Sequence, residues 1–271
     1  MNTIDMIDQQ LLENVINLAR QTGRYQMSRF RSLPPGGGEE KVAREFVSEI
    51  DINSEQLLIE GLSKLLPEAG FYGEETGTTG NELLRWVIDP LDGTTNFLSG
   101  LDQFSISVAL EIDGLCELGV VLRPASEELF SARRGQGLCR NGQACPTVSN
   151  VPLSQALIGT GFPYRSKDLA TSFFPCAEQV LYSSRGIRRF GSAALDLSYV
   201  AAGFLQGFWE SDLQPYDVAA ALLFMEETGC RVSNHLGSTY SPYRDRLLVC
   251  GQPDTHLQLQ PIVAKHYQDA S

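Results

Sequence analysis

At 271 residues the chain is long enough for one large domain or two intimately packed halves. It can bury about three quarters of its unfolded surface without staples. A net charge of −12 excludes bulk electrostatic binding to nucleic acid or to an anionic membrane, and 42% hydrophobic with 20% charged residues is the balance of a soluble globular protein.

The N-terminal twenty residues, MNTIDMIDQQLLENVINLAR, carry acids and lack the basic start of a signal peptide. No run approaches the ~20 apolar residues of a membrane helix. A cytoplasmic protein is therefore expected. Residues 4–30 read as a helix, with Ile7, Leu11, Val15, Leu18 and Ala19 close to one stripe. Pro34-Pro35-Gly36-Gly37-Gly38 then breaks the pattern and reads as a linker or a mobile loop over a site. Residues 52–66 are helical again. Arg85-Trp86-Val87-Ile88 is a short buried strand running into a turn. Two strands over 105–112 and 115–122 are joined by Asp113-Gly114, a strong hairpin signal, and a third covers 128–132. Asn141-Gly142 is a second tight turn.

Further along, 192–202 is a helix stopped by Gly203, and 207–210 is a strand. Residues 215–228 form a helix ending at Gly229, followed by short strands at 231–232 and 247–251. Helices and strands alternating in both halves imply stacked layers. The six cysteines (116, 139, 145, 176, 230, 250) include no C-x-x-C pair and no zinc spacing with the three histidines, so reduced, mostly buried thiols are expected.

Carboxylates stand out at four places: Asp51; Glu74 and Glu75 after Gly73; Asp89 and Asp92 in Trp86-Val87-Ile88-Asp89-Pro90-Leu91-Asp92-Gly93-Thr94-Thr95-Asn96-Phe97; and Asp217 in Tyr216-Asp217-Val218-Ala219-Ala220. A buried strand would deliver Asp89 at its carboxyl end, where layered α/β proteins bind ligands. Pro90 lacks an N–H and forces a change of direction. That turn can bring Asp92 beside Asp89 and aim the Leu91 carbonyl the same way. Oxygen donors of this kind suit Mg²⁺. Gly93-Thr94-Thr95 can open a short helix whose N–H groups face a phosphate. Taken singly, each piece has a plainer reading: Asp-Pro-x-Asp-Gly as a turn, Asp217 as an N-cap, Glu74 as a solvated loop acid, Asp51 as a surface acid between helices.

Together with Trp209-Glu210, Thr160-Gly161-Phe162-Pro163-Tyr164 and Gly191-Ser192-Ala193-Ala194-Leu195-Asp196-Leu197, these segments resemble the inositol monophosphatase family, its bacterial branch in particular. The likeness runs in order from about residue 4 to 251. It implies an α+β, layered αβαβα sandwich shared with fructose bisphosphatases, as a single phosphatase domain over 1–271 with halves near 1–150 and 151–271. By position, the resemblance implies that Glu74, Asp89 and the Leu91 carbonyl hold one Mg²⁺. Asp89, Asp92 and Asp217 would hold a second, and a weaker third would sit near Glu74. Asp51 and Thr94 would orient the attacking water, Gly93 and Thr94 amides would bind phosphate, and Gly191, Ser192, Ala193 and Glu210 would contact sugar or polyol hydroxyls. Lys41 is the candidate for the family's loop lysine. The resemblance also implies lithium sensitivity and a homodimer.

Three positions depart from the family pattern. The register around Lys41 is shifted by Glu39-Glu40 and the glycines, Arg123 stands where an aspartate precedes the proline, and Tyr216 replaces a tryptophan. Two ions sharing Asp89 explain how an acidic pocket accepts an anionic substrate, since metal reverses the local sign. Thr95-Asn96-Phe97 favours an inositol-type substrate; fructose bisphosphate, histidinol phosphate and nucleotides are the alternatives. From a different class, some bacterial relatives look like partners of the transcription machinery. Arg185, Arg188 and Arg189 form a basic patch that is either such a contact, a dimer contact or a solvated loop.

Overall fold

The computed structural model describes residues 7–32, 39–40, 46–47 and 49–268. Residues 34–38 and Lys41, and with them the loop expected there, lie outside the described residues.

Helix α1 (Gln9–Arg29) opens where Asp8 Oδ1 accepts the Leu11 N–H at 2.8 Å. A two-stranded antiparallel pair, β1 (Glu39–Glu40) and β2 (Phe46–Val47), precedes α2 (Glu49–Leu65). Next come β3 (Gly70–Gly73), β4 (Gly77–Thr79), β5 (Leu84–Asp92), the short α3 (Thr94–Leu98), β6 (Ser105–Ile112), β7 (Leu115–Arg123), β8 (Glu128–Arg133), β9 (Leu138–Arg140) and β10 (Gln143–Ala144). They build an eight-stranded sheet ordered β10-β9-β8-β7-β6-β5-β3-β4, antiparallel except where β3 lies parallel to β5. The two tight turns read from the sequence join β6 to β7 and β9 to β10. Asp113 and Gly114 have φ of 50° and 78°, and Asn141 and Gly142 have 51° and 76°. Positive φ at both central residues matches the right-handed twist of the strands they join.

The second sheet is built from β11 (Leu157–Thr160), β12 (Gly186–Arg188), β13 (Gly207–Ser211), β14 (Arg231–Ser233) and β15 (Leu247–Gly251), ordered β12-β11-β13-β15-β14. Four helices accompany it: α4 (Ala170–Ser183), α5 (Ala193–Ala201), α6 (Pro215–Thr228) and α7 (Pro253–His266).

Strand alternation sorts the core into layers. On β5, Trp86 and Ile88 face α1 and α2, while Val87 faces α5 and α6. On the second sheet, Phe208, Leu248 and Cys250 join that same α5–α6 cluster, whereas Trp209, Leu247 and Val249 face α4 and α7. The order is therefore α1/α2, large sheet, α5/α6, small sheet, α4/α7: the layered αβαβα arrangement that the resemblance implies. At Gly119 of β7 a Cβ would lie 3.0 Å from the Phe224 ring and 3.1 Å from the Ala220 Cα. Glycine there lets the central helix α6 rest directly on the sheet. All six cysteines are free; Cys116, Cys176 and Cys250 are buried, and the other three are partly so.

Candidate active site

The aspartate segment is a bulged strand. β5 pairs with β6 as far as Asp89 opposite Ser107 and resumes at Asp92 opposite Ser105. Pro90 and Leu91 stand out of the ladder, because proline has no N–H to contribute. The four-residue strand read from the sequence is thus corrected to nine residues bent at a bulge. Two contacts fix the bend. Buried Gln26 of α1 donates Nε2–H to the Pro90 carbonyl at 2.7 Å, and the Leu91 N–H donates to Asp89 Oδ1 at 3.0 Å. The bulge has the effect expected of the turn: carboxylate oxygens of Asp89, Asp92 and Asp217 lie within 4.8 Å of one another.

Asp217 arrives from α6 and also secures that helix. It is the third residue of the helix, not its N-cap: Gln214 is the N-cap, its N–H donates to Asp217 Oδ2 at 2.6 Å, and Pro215 opens the first turn. Arg165 Nη1 stands 3.5 Å from the same oxygen. Asp92 is held by the start of α5. Its Oδ2 accepts from Ser192 Oγ at 2.6 Å and from the Ala194 N–H at 2.7 Å. The Ser192 hydroxyl is therefore occupied with a carboxylate and, at 3.0 Å, with Ser105.

Asp51 is carried by the outer helix layer, and Glu74 by the loop that follows β3 of the large sheet. Asp51, a surface acid only when read by itself and a water-orienting residue by the resemblance, is buried in the first turn of α2, which begins at Glu49 rather than at residue 52. The Thr94 hydroxyl lies 3.1 Å from the Leu91 carbonyl and 3.4 Å from Asp51 Oδ1. Glu74 follows β3, and its N–H donates to the Ile88 carbonyl at 3.3 Å. The loop beyond it is pinned by fully buried Glu55 of α2, whose two oxygens accept the Glu75 and Thr76 N–H groups at 3.0 and 2.8 Å. A Cβ at Gly73 would sit 2.6 Å from Glu55 Oε2, so glycine makes room for that capture.

Burial and mutual repulsion dominate the electrostatics. Desolvation, then Asp217, pushes Glu74 up to about 8. Desolvation, then Glu74 and Asp92, holds Asp89 well above the carboxylate range. Desolvation, then Asp217, raises Asp92 to about 7 against the lowering hydrogen bonds from Ser192 and the α5 backbone. Convergent, buried, oxygen-only donors, with Glu74, Asp89 and Asp92 held above the carboxylate range, fit a hard divalent cation, which would relieve the repulsion.

These groups line one cavity of about 480 Å³, within the usual range for small-ligand sites. Glu74, Asp89, Leu91, Asp92, Gly93, Thr94 and Asp217 line it together with Gly191, Ser192, Ala193 and Glu210. Asp51 reaches it through Thr94. Glu210 is raised to about 8, by desolvation first, against the lowering effect of Arg189. A Cβ at Gly161 would lie 1.8 Å from Glu210 Oε1, which explains glycine in Thr160-Gly161-Phe162. All three arginines of the basic patch are exposed; Arg189 alone of them also lines the cavity, and it stacks on Phe162 and Tyr164 at 5.8 and 5.3 Å. Arg123 pairs with Asp102 at 3.0 Å, and Tyr216 packs on Tyr72 at 6.0 Å between ring centres.

Sequence reasoning missed Gln26, Glu55 and Asp196. The first two carried a signal. Glu55 is in phase with Asp51, Leu58 and Leu62 on the buried face of α2, and Gln26 continues the Val15, Ala19, Thr22 stripe of α1. A polar group in phase with an apolar stripe must find a partner in the interior. Asp196 gave no such signal, because eight of the nine residues of α5 are buried and no face is distinguished.

The chain is 40% identical to the inositol-1-monophosphatase of Rhizobium meliloti over 225 residues, covering 82% of this chain and 84% of that protein. It is 38% identical to the Nus factor SuhB of Pseudomonas aeruginosa over 237 residues, covering 85% and 87%. The solved structure of the extragenic suppressor protein suhB from Bartonella henselae superposes with a TM-score of 0.89 at 34% identity, over 95% of this chain and 99% of that one. Residues 8–270 match the sequence profile of the Inositol monophosphatase family, and with the layered fold and the convergent acids this chain belongs to that family of phosphatases.

Proposed function

We propose that the protein is a Mg²⁺-dependent phosphomonoesterase acting on a small sugar or polyol phosphate, inositol monophosphate first among them. The observation that carries this reading is the set of three buried carboxylates lining the cavity with oxygens within 4.8 Å of one another. Asp89, Asp92 and Asp217, with Glu74 and the Leu91 carbonyl, would hold two to three ions. Bound Mg²⁺ supplies positive charge against the phosphoryl oxygens and acidifies water.

The chain's own groups do the rest. Thr94 Oγ1 orients the attacking water between the Leu91 carbonyl and Asp51, and Asp51 Oδ1 takes up the proton through that hydroxyl. As the water oxygen bonds to phosphorus the ester P–O bond breaks, and the departing alkoxide recovers a proton from solvent. Gly93 and Thr94 N–H groups steady the phosphate. Gly191, Ala193 and Glu210 meet the alcohol half. Ser192 contributes mainly by holding Asp92 in place.

The test is phosphate release over polyol, sugar, nucleotide and histidinol monophosphates with Mg²⁺, with chelator, and with millimolar lithium. Fastest turnover on inositol monophosphate, none in chelator, and inhibition by lithium are expected. Full turnover in excess chelator would sink the reading. A second reading, a partner of the transcription machinery, is favoured by the names of the relatives called Nus factor SuhB, among them that of Pseudomonas aeruginosa at 38% identity. Exposed Arg185 and Arg188 would then be contact residues. Loss of their charge should leave turnover intact while abolishing association with the cell's transcription complexes.

A further inference from the structure

Two arginines line the cavity, and they face different company. Arg189 packs over Phe162 and Tyr164. Arg165, in the loop after β11, is turned to the acids. Its Nη1 lies 3.5 Å from Asp217 Oδ2, with 36% of its side chain exposed against 8% for Asp217. Its field reaches further: desolvation raises Glu74 and Glu210, and Arg165 is among the charges that pull both back down. The backbone beneath it is anchored by the next residue. Buried Ser166 donates to Asp212. Arg246 grips Asp212 through Nε and Nη2, each at 2.9 Å, and Asp168 through Nη1 at 2.9 Å. The guanidinium can therefore change partners by side-chain rotation alone.

Asp217 is one of the three acids that would hold a divalent cation. A guanidinium and a cation drawn to the same carboxylate repel each other. Cation binding at Asp217 thus turns Arg165 toward the space that the substrate's phosphate enters. There its planar fork of N–H groups matches phosphate oxygens, and such charge-assisted bonds are the strong ones. We propose that Arg165 is a phosphate-binding residue with two alternating partners: it is the counter-charge of Asp217 until a divalent cation binds, and then it grips the phosphate. Cation and phosphate are thereby loaded in that order. This rests on the phosphomonoesterase reading and adds a contact that the expected set of site residues does not contain.

The experiment titrates Mg²⁺ by calorimetry into chelator-stripped parent, Arg165→Gln and Arg165→Lys, then titrates inorganic phosphate into each at saturating Mg²⁺. Without the charge, Mg²⁺ should bind about fivefold more tightly, the scale of a partly exposed ion pair. Lysine keeps the charge and should bind Mg²⁺ as the parent does. Phosphate should bind about tenfold more weakly to Arg165→Gln, the loss of a hydrogen bond to a charged group. An Mg²⁺ affinity unchanged or weakened in Arg165→Gln overturns the proposal, and so does unchanged phosphate binding. So does a lysine variant that binds Mg²⁺ as tightly as the glutamine one. If Arg165→Gln does not fold, Arg165→Met is read the same way. Turnover of inositol monophosphate is measured separately. A parent that binds Mg²⁺ and phosphate but hydrolyses no ester ends the phosphomonoesterase reading and leaves the two titrations to decide on Arg165. A parent that binds no Mg²⁺ overturns both.

Discussion

Asp92 meets two donors on one oxygen and a like charge nearby, so its replacement separates geometry from electrostatics. An asparagine there would keep an acceptor for Ser192 and the Ala194 N–H, now at 2.6 and 2.7 Å, and would relieve the repulsion from Asp217. We expect Asp92→Asn to lower kcat at least ~10²-fold, as removal of a key electrostatic group does. The cation-free protein should melt at the same temperature or higher. A variant that unfolds yet keeps its specific activity would make Asp92 a purely structural residue. Glu55 tests the other kind of role. It sits away from the convergent aspartates and holds the loop that carries Glu74. Glu55→Gln leaves one of the two loop N–H groups facing an amide NH₂. On the proposed role of Glu74, the Mg²⁺ concentration for half-maximal turnover should rise several-fold, with kcat recovering at saturating Mg²⁺. An unchanged Mg²⁺ titration would detach the loop from the metal site.

The acids of the site come from three adjacent layers, Asp51 from α2, Glu74, Asp89 and Asp92 from the large sheet and Asp217 from α6, and α6 brings the last of them to the others. It caps itself with Asp217, carries that residue into the cavity, and rests on β7 only because position 119 is glycine. Gly119→Val places a branched side chain against the Phe224 ring and the Ala220 backbone. Overpacking of this kind costs about 1–3 kcal/mol, so the melting temperature should drop by several degrees. The same change shifts Asp217, so the Mg²⁺ requirement should rise in parallel. A melting temperature equal to the parent's would mean that α6 can move off the sheet freely. Two helices on the far side, α4 and α7, are invisible to pattern reading because Pro175 and Pro261 lie inside them. A proline reads as a stop, and only packing of Phe173, Cys176, Val180, Leu259 and Val263 under the small sheet carries the helices past it.

On the scale of the whole molecule, one buried cluster draws from both sheets, so we propose that they unfold together as a single domain. The two tryptophans allow a direct check, since Trp86 lies in the large sheet and Trp209 in the small one. Single-tryptophan variants, Trp86→Phe and Trp209→Phe, should show superimposable denaturant transitions. Separated midpoints would divide the chain into two units. The acids also set a pH dependence. Asp92, Glu74 and Glu210 have folded values near 7, 8 and 8, above the ~4 of the unfolded chain. Groups raised on folding stabilise the native state below their unfolded values, and that stability is lost as pH rises through the folded ones. Buried His235 and His256 are lowered, so their contribution falls away only below about 6.5. Without divalent cations the melting temperature should therefore decline from about pH 6.5 to about pH 8. Mg²⁺ should reverse the decline, since it binds the ionised acids. A flat profile in chelator would show that the acids ionise freely in the folded state.

The sequence by itself determined the hairpins at Asp113-Gly114 and Asn141-Gly142, the span of α6 from Pro215 to the glycine after Thr228, and the family, because each is written in contiguous residues with a local physical cause. The aspartate segment was legible for the same reason: strand, proline and second aspartate are neighbours in the chain. Tertiary structure alone decided that the bend at Pro90 is a bulge, since that depends on where Ser105 and Ser107 of the next strand pair. It decided between the two readings of Asp51, surface acid or site residue, by burying it, since burial depends on α2 packing against the sheet. It also made Glu55 the holder of the Glu74 loop and left Asp196 Oδ1 buried without a hydrogen-bond partner. Those roles come from distances between residues far apart in the chain, and a local pattern carries no record of them.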